Sequence, residues 1–598
     1  MSLSEKCRFQ LLFAFSAALL PLAFLSVRTA GADLKGVQKS VLNINKVEFW
    51  AANNGLLASG PEWNQNWGLI YPKGTAGLVF TDGLVWAGYV RDGQTPELRA
   101  GGQYYTAGTV PGRILSPGAA ADTADAGYRI WRIRRDWQTA DLTQDAASFF
   151  GVPPEQVTSV QIDSLRTLYR HDWENWPGDI GAPYYDRNNN GTYDAGDEPG
   201  IAEADQVIWF VYNDLDVETC TELYGAPPIG LEVQVTLWAY HLQSGGDALI
   251  RALDHVIYKR YRIIYKGTKY SPANARIDSM LIGQFVETDI GDYSDDFLGC
   301  DTLLQLGYGY NSQFQDKIYK SFSIPPPAVG YALLQGPVVA SADPQAQAVQ
   351  NFKIIRGYRN LPMTFFWAKA TGSTILDPER HTYEGTQQMY NLLNGLTPRG
   401  AEPFKDPNGH PVRYMFPGDP VTSSGWTDGN PLAAGDRRFL MSSGPFSMAL
   451  GDTQEVIFAI AVGKGADERA SVSVMKYNIR YARSVFGWSL PTAVPGKETA
   501  ERNDLPEEFL LLPNRPNPFR GQTLFRFVLK RPGEVRLSVF NALGQQVDVL
   551  LSGCRPAGEY HILWRAQNGA GRRLPAGIYF VRLQAGRNYQ IQKMLLLP

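Results

Sequence analysis

Oxygen-bearing side chains recur at a regular spacing in the segment from Asp186 to Asp197, which has the sequence DRNNNGTYDAGD. They occupy loop positions 1, 3, 5, 9 and 12, and Gly191 stands at position 6. A calcium-binding loop needs this spacing, because alternate residues point inward, glycine permits a sharp turn, and position 7 offers its backbone carbonyl. The candidate calcium ligands are Asp186, Asn188, Asn190, Thr192, Asp194 and Asp197.

The residues that flank this loop decide what kind of calcium site it can be. Pro183 precedes it and Pro199-Gly200 follows it, which argues against the two helices of an EF-hand. Aspartate instead of glutamate at position 12 resembles the loops of dockerins and related extracellular calcium modules. Because the ion would use all of these ligands and leave no open position for a substrate, we expect it to have a structural role and to hold a long loop in place. The alternative is an ordinary surface turn rich in asparagine and glycine.

A second acidic group lies downstream and has no fixed ligand spacing. Its candidate calcium ligands are Asp289, Asp292, Asp295 and Asp296, with Glu287 and Asp301 nearby in the sequence. Carboxylates at this density repel one another unless they are solvated or bound by a cation. The sequence leaves calcium binding and a solvated loop as alternatives for this group.

Recognisable catalytic motifs are missing from the sequence. The six histidines form no His-x-x-x-His pair, and no Gly-x-Ser-x-Gly elbow, phosphate loop or dinucleotide fingerprint occurs. A glycoside hydrolase needs only two carboxylates that the fold brings together, so an extracellular glycan-active enzyme or carbohydrate-binding protein is the alternative function. The segment His171–Trp176 combines acid, base and aromatic groups, and its simpler interpretation is a polar loop anchored by two tryptophans. The sequence favours a binding or structural role over catalysis.

Composition predicts a mainly β protein. The chain has 598 residues, with 14 Trp, 30 Tyr and 59 Gly, a composition that favours strands and tight turns over long helices. Its length predicts about three domains. The formal net charge is −3, so the chain lacks the excess of basic residues that is typical of nucleic-acid-binding proteins, and we expect no such partner.

The first 32 residues have the features of a secretory signal peptide. Lys6 and Arg8 precede an apolar run at residues 11–25, and small residues at positions 30–32 form a cleavage site. A retained membrane anchor is the alternative. No second apolar span follows, so we expect no transmembrane span in the mature chain.

The body is predicted to be a large β-sandwich in two parts with few helices. Residues 33–270 contain the calcium loop, residues 271–490 end in a helix at 467–486, and residues 491–512 form a linker. Two short apolar runs, bounded by Asp82-Gly83 and by Arg91-Asp92-Gly93, predict a hairpin. Shorter helices are expected at Leu142–Phe150, Glu155–Tyr169 and Glu384–Leu396.

Two further features of the body leave alternatives open. Tyr128–Trp137 alternates in polarity and predicts a strand with a basic outer face. Cys220 and Cys300 could form a disulfide in an oxidising compartment or remain as isolated buried thiols.

The last part of the chain, residues 513–598, consists of short segments of alternating polarity separated by glycine and proline turns. Such period-2 patterns are typical of half-buried strands, and this number of strands predicts a small Ig-like sandwich. The predicted strands are Thr523–Leu529, Glu534–Asn541, Gln545–Leu551, Glu559–Ala566, Ile578–Ala585 and Tyr589–Leu597.

Several spaced motifs in residues 513–598 match a known family in order. These are Pro516–Phe519, Val539–Gly544, Ala557-Gly558, Leu574–Tyr579 and Lys593-Met594. Together they resemble the C-terminal sorting domain of type IX secretion cargo, and equally the Ig-like domain of flagellar hook-capping proteins.

The first resemblance implies export through the periplasm to the cell surface or medium, with the secretion machinery as partner. The alternative is an Ig-like domain that packs on the body or spaces it from a surface. A stretch of the body at Pro325–Tyr331 is similar to segments of secreted proteins that carry such a tail, a likeness that brings no activity with it. A surface glycan or matrix is the other partner class that we expect.

Overall fold

The computed structural model describes residues 36–61, 67–188, 190–194, 196–201, 203–241, 250–370, 373, 375–430, 432–486, 509–529, 531–541, 545–556, 558–568, 571–585 and 588–597. The predicted signal peptide and residues 491–508 of the predicted linker lie outside these residues. No helix in the described ranges is long and apolar enough to cross a bilayer.

Short strands dominate the body, as the composition predicts. They are β1 (Lys39–Leu42), β2 (Glu48–Ala52), β3 (Leu69–Ile70), β4 (Gly77–Arg91), β5 (Leu98–Gly102), β6 (Val110–Pro111), β7 (Ile114–Ser116), β8 (Ala119–Ala120), β9 (Trp131–Arg134), β10 (Tyr184–Tyr185), β11 (Glu198–Pro199), β12 (Gln206–Asn213), β13 (Leu231–Ala239), β14 (Val256–Tyr265), β15 (Arg276–Thr288), β16 (Asp296–Asp301), β17 (Leu306–Asn311), β18 (Ala328–Gln335), β19 (Val338–Ala340), β20 (Gln347–Gln350), β21 (Lys353–Arg356), β22 (Tyr358–Asn360), β23 (Phe365–Ala370), β24 (Arg437–Ala449) and β25 (Thr453–Gly463).

Two large antiparallel sheets form the body. The first has the strand order β1-β2-β3-β4-β15-β24-β23, with β5 also paired to β4. The second has the order β16-β17-β18-β25-β14-β13-β12-β6, with β9 also paired to β12. Short ribbons pair β7 with β8, β10 with β11, β19 with β22, and β20 with β21. Each large sheet takes strands from both sides of residue 270, so that predicted boundary does not coincide with a sheet boundary.

The two sheets pack face to face, which confirms the predicted β-sandwich. Val233 and Val235 of β13 alternate inward and share one core with Trp86 of β4 and Val286 of β15. Because apolar side chains at every second position point to the same face of a strand, one face of each sheet is apolar and is buried in this core.

Helices cover the outer faces of the sandwich. They are α1 (Thr143–Phe150), α2 (Ser159–Glu174), α3 (Val217–Tyr224), α4 (Tyr383–Leu393) and α5 (Glu468–Val485). The apolar stripe of α5, which includes Val472, Met475 and Ile479, packs on the second sheet, as the sequence pattern predicts. Met389 and Leu392 of α4 pack on the first sheet instead.

The tail forms two sheets of its own, which confirms the predicted small sandwich. Its strands are β26 (Phe509–Arg515), β27 (Thr523–Leu529), β28 (Gly533–Asn541), β29 (Gln546–Arg555), β30 (Gly558–Trp564), β31 (Gly577–Ala585) and β32 (Asn588–Leu596). The sheets have the orders β26-β27-β30 and β29-β28-β31-β32 and enclose a separate core. The domain begins at Phe509, because β26 extends into the predicted linker; Pro513 is tolerated there since β26 is an edge strand with a bulge.

Two local predictions for the body are wrong. Asp82-Gly83 is not a turn, because β4 runs without interruption from Gly77 to Arg91; the hairpin turn follows Arg91, and the chain returns as β5. The segment Tyr128–Trp137 contributes only the short strand β9, and Arg132 is buried at 1% exposure instead of lying on a basic outer face. In both cases a charged side chain is satisfied by a distant partner that the local pattern does not reveal.

Candidate functional site

The predicted calcium loop is the turn of a short β ribbon. β10 and β11 pair in antiparallel register and hold residues 186–197 at both ends, so strands flank the loop instead of helices. Gly191 has φ +81°, the left-handed conformation that position 6 requires. Thr192 is exposed and donates its backbone N–H to Asn190 Oδ1 over 2.8 Å.

Asp194 is the centre of the hydrogen bonds between the loop's side chains. Asn190 Nδ2 donates to Asp194 Oδ2 over 2.6 Å, and Asn188 Nδ2 donates to both Asp194 oxygens over 3.2 Å. Asp186 and Asp197 accept backbone N–H groups of the same loop. A calcium ion at this centre would need both amides to turn their oxygens inward, a rotation that exchanges O and N without changing the side chain's shape.

The carboxylates of the second predicted group have separate roles. Asp292 caps a short 3-10 turn, Asp295 accepts from the side-chain amide of Asn311, and Asp296 is fully buried and accepts a backbone N–H. Burial raises the pKa of Asp295 to about 6. In the described part of the chain, the ligand atoms of these residues and Asp289 do not converge within 4.8 Å.

Asp289 belongs to another group, at one end of the outer face of the first sheet. One oxygen from each of Glu287, Asp289 and Asp436 lies within 4.8 Å of the other two. Glu287 of β15 is the ladder partner of Arg438 in β24, so Asp289 and Asp436 face each other just beyond the end of the antiparallel ladder. Like charges in opposed positions on neighbouring strands are destabilising.

Arg438 and Tyr105 both contact this group. Arg438 Nη2 lies 3.4 Å from Glu287 Oε1, and Tyr105 donates its hydroxyl to the same oxygen over 3.1 Å. Burial raises the pKa of Glu287 to about 8; Asp289 and Asp436 add to the rise and Arg438 opposes it. The pKa of Asp289 rises to about 7 through burial and the charge of Asp436.

The sequence pointed to part of this group only. Asp289 is a predicted ligand, and its i, i+2 spacing from Glu287 is a signal that both side chains share one face of a strand. Asp436 has no such signal, because the pairing of β15 with β24 joins segments that are far apart in the chain.

The segment His171–Trp176 lies at the C-terminal end of α2 and is anchored by its aspartate and its second tryptophan. Asp172 is fully buried, forms an ion pair with Arg129 and accepts the backbone N–H of Arg132 over 2.8 Å. Trp176 Nε1 donates to a backbone carbonyl over 2.7 Å. These contacts support an anchored segment, but residues 171–174 form the last turn of α2 instead of the predicted polar loop.

Tryptophans fill cores in this protein. Of those that the structure describes, none is exposed, and Trp86, Trp209, Trp238 and Trp367 have relative exposures of at most 1%. Stacking on sugar rings needs an accessible indole face, so the buried tryptophans do not support the carbohydrate alternative.

The tail docks on the outer face of the second sheet. Ile578, Leu595 and Leu597 are buried in the same cluster as Trp238 of that sheet. Arg520 forms an ion pair with Asp205 of the body at 2.7 Å. The domain is therefore packed against the body as well as folded around its own core.

A cavity of about 550 Å³ lies in the tail next to this docking contact. Its lining includes Arg520, Arg565, Arg573 and Leu597. Arg520 is committed to the body, whereas Arg565 and Arg573 are exposed.

The two cysteines of the body are free thiols. Cys220 and Cys300 are both buried, and burial raises the pKa of each thiol well above its ordinary value. The Cys220 thiol donates to the backbone carbonyl of Asp214 over 3.0 Å. A buried protonated thiol behaves as a small apolar side chain, so the isolated-thiol alternative fits this structure.

No protein-family model matches the chain, and no curated protein matches it significantly. Solved structures give distant likenesses: FlgD from P. aeruginosa at 20% identity over 12% of this chain (TM-score 0.11), a polysaccharide lyase at 7% over 62% (0.17), and dimeric latent PorU from Porphyromonas gingivalis at 9% over 65% (0.16). The chain spans 60%, 34% and 31% of the lengths of those three proteins. At these TM-scores the likenesses carry no argument about fold or function, which therefore depend on the residues described above.

Proposed function

We propose that this chain is a secreted or surface-displayed protein whose C-terminal domain directs its export, and whose body has a binding or structural role. The observation that carries the proposal is the position of the Pro516–Phe519 motif in the tail. Phe519 is fully buried in the tail's own core, and its backbone exchanges hydrogen bonds with Leu595 and Leu597 of the final segment. Asn517 Oδ1 also accepts the backbone N–H of Leu595 over 2.9 Å.

These contacts support the proposal that the motif and the last strand are recognised together, as one unit. The motif fixes the position of the last strand, so a receptor that recognises the end of the chain meets it in one defined conformation. Preorganisation of this kind lowers the entropic cost of binding.

Deleting residues 509–598 is expected to trap the body in the periplasm of a host with a type IX system. Phe519→Ala should do the same, because loss of a buried phenylalanine removes about 3–5 kcal/mol from a small core. Cell fractionation with immunoblotting measures the distribution. Arg520→Ala is the matched control, since it breaks the ion pair with Asp205 but leaves the tail's core intact.

Normal export of both the truncated chain and the Phe519→Ala chain would refute the sorting role and leave the tail as a packing domain. Retention of the Arg520→Ala chain would show that docking on the body, and not the fold of the tail, controls export.

We further propose that the loop at residues 186–197 binds calcium in a structural role. Its support is the convergence of Asn188 and Asn190 on Asp194 and the left-handed Gly191. Calcium at about 100 times its Kd is expected to stabilise the chelated protein by about 2.7 kcal/mol, seen as a higher melting temperature.

Asp194→Asn should abolish the part of the calcium-induced rise in melting temperature that comes from binding at this loop. Asp163→Asn on the exposed side of α2 is the control and should keep the full rise. Protease cleavage within the loop offers a local readout, because an ion that pins the loop should slow it. Unchanged cleavage with and without calcium would contradict the proposal.

A further inference from the structure

We propose that Glu287, Asp289 and Asp436 bind a hard divalent cation of the calcium and magnesium type where the paired strands β15 and β24 of the first sheet end. This site is separate from the loop at residues 186–197 and goes beyond the proposed role in export. Its geometry is set by the sheet: the ladder of β15 and β24 brings one oxygen from each residue within 4.8 Å of the others.

Carboxylates outnumber the positive groups at this point in the described part of the chain. The carboxylates are Glu287, Asp289, Asp377 and Asp436, and Arg438 and Lys369 are positive groups that contact them. Arg438 Nη1 lies 3.1 Å from Asp377, which also pairs with Lys369 and accepts the hydroxyl of Tyr104 over 2.7 Å. Ionisation of all these groups leaves an excess of two negative charges, which one divalent ion neutralises.

Buried oxygens without partners give an independent sign of a ligand. Glu287 is 7% exposed, and its Oε2 accepts no hydrogen bond within the described residues. Thr81, the ladder partner of Glu287 on β4, is 3% exposed, and its Oγ1 also has no partner there. Buried polar atoms are nearly always paired, so two unpaired oxygens in one row of the sheet indicate a group that completes them.

The donor atoms select the class of ion. The three side chains that converge offer carboxylate oxygens, without histidine or cysteine. Oxygen donors suit calcium, magnesium and manganese, and three protein carboxylates exceed what magnesium usually takes, because it retains several waters. An entry route exists because the side chains of Asp436 and Asp377 are 31% and 28% exposed.

The test is a calorimetric titration of the chelated full chain with calcium and, separately, with magnesium, in an Asp194→Asn background that disables the loop. One ion per chain is expected to bind, and Asp289→Asn should weaken its affinity at least tenfold. The Asp289 carboxylate makes no hydrogen bond or ion pair with the described residues, so this substitution removes a charge without breaking a contact. Asp278→Asn, at the other end of β15, is the matched control and should bind like the parent.

Glu287→Gln keeps the shape of the side chain and provides a second variant with the same expected loss. Circular dichroism establishes that each variant is folded. No binding of either ion by the parent chain, or equal affinity in the parent and in both variants, would overturn the proposal.

Discussion

Lys259→Ala is expected to destabilise the body by about 3–5 kcal/mol, because it leaves a buried carboxylate without its counter-ion. Lys259 of β14 and Asp82 of β4 are both 0% exposed, and Lys259 Nζ lies 2.7 Å from Asp82 Oδ1. Tyr331 of β18 donates its hydroxyl to Asp82 Oδ2, also over 2.7 Å. The pair therefore ties the two sheets together in the middle of the sandwich, where water cannot replace the missing charge.

Urea unfolding of the full chain measures this loss. The double variant Asp82→Ala with Lys259→Ala should lose less free energy of unfolding than the two single variants added together. Each single change leaves one buried charge without a partner, whereas the double change removes both charges. Arg276→Ala is the control: its ion pair with Asp278 is 56% and 29% exposed, and surface pairs contribute at most about 1 kcal/mol. A loss below about 1 kcal/mol for Lys259→Ala would show that the sheets do not depend on this pair.

The chelated protein is expected to lose stability as pH rises from about 5 to about 8. The folded pKa of Glu287 is raised to about 8 from 4.5 and that of Asp289 to about 7 from 3.8. In this window the native chain retains protons that the unfolded chain has released, so stability falls with rising pH by about 1.4 kcal/mol per unit for each retained proton. The groups that surround the two carboxyls are Arg438, Asp436, Asp377, Lys369 and Tyr105.

Urea midpoints across this pH range, with chelator present, provide the measurement. Asp289→Asn should reduce the slope of stability against pH. The difference between the slopes of the variant and the parent measures the contribution of this site apart from that of other titrating groups. Saturating calcium should reduce the slope as well, because a bound cation favours the ionised carboxylates. Equal slopes for the parent and Asp289→Asn would contradict the raised pKa values.

Local patterns predicted the tail well. Each of its strands from β27 to β32 coincides with a run of alternating residues between glycine or proline turns. These strands pair with other strands of the same domain, so no pairing with a distant part of the chain had to be foreseen. β26 falls largely in the predicted linker, because Leu510–Leu512 is a continuous apolar run without the alternation that predicts a half-buried strand.

Long-range pairing limited the predictions for the body. Asp82-Gly83 has the composition of a turn, yet Asp82 lies within a strand because Lys259 and Tyr331 of the opposite sheet satisfy its carboxylate. The group of Glu287, Asp289 and Asp436 depends in the same way on the pairing of β15 with β24. The loop at residues 186–197 was predictable as a turn, since all of its groups lie within one short segment.

The most direct test of the account compares the location of the full chain in a host that has the type IX translocon with its location in an isogenic host that lacks it. If the tail directs export, the chain reaches the cell surface or medium in the first host and accumulates in the periplasm of the second. Equal amounts of the chain outside both hosts would contradict it.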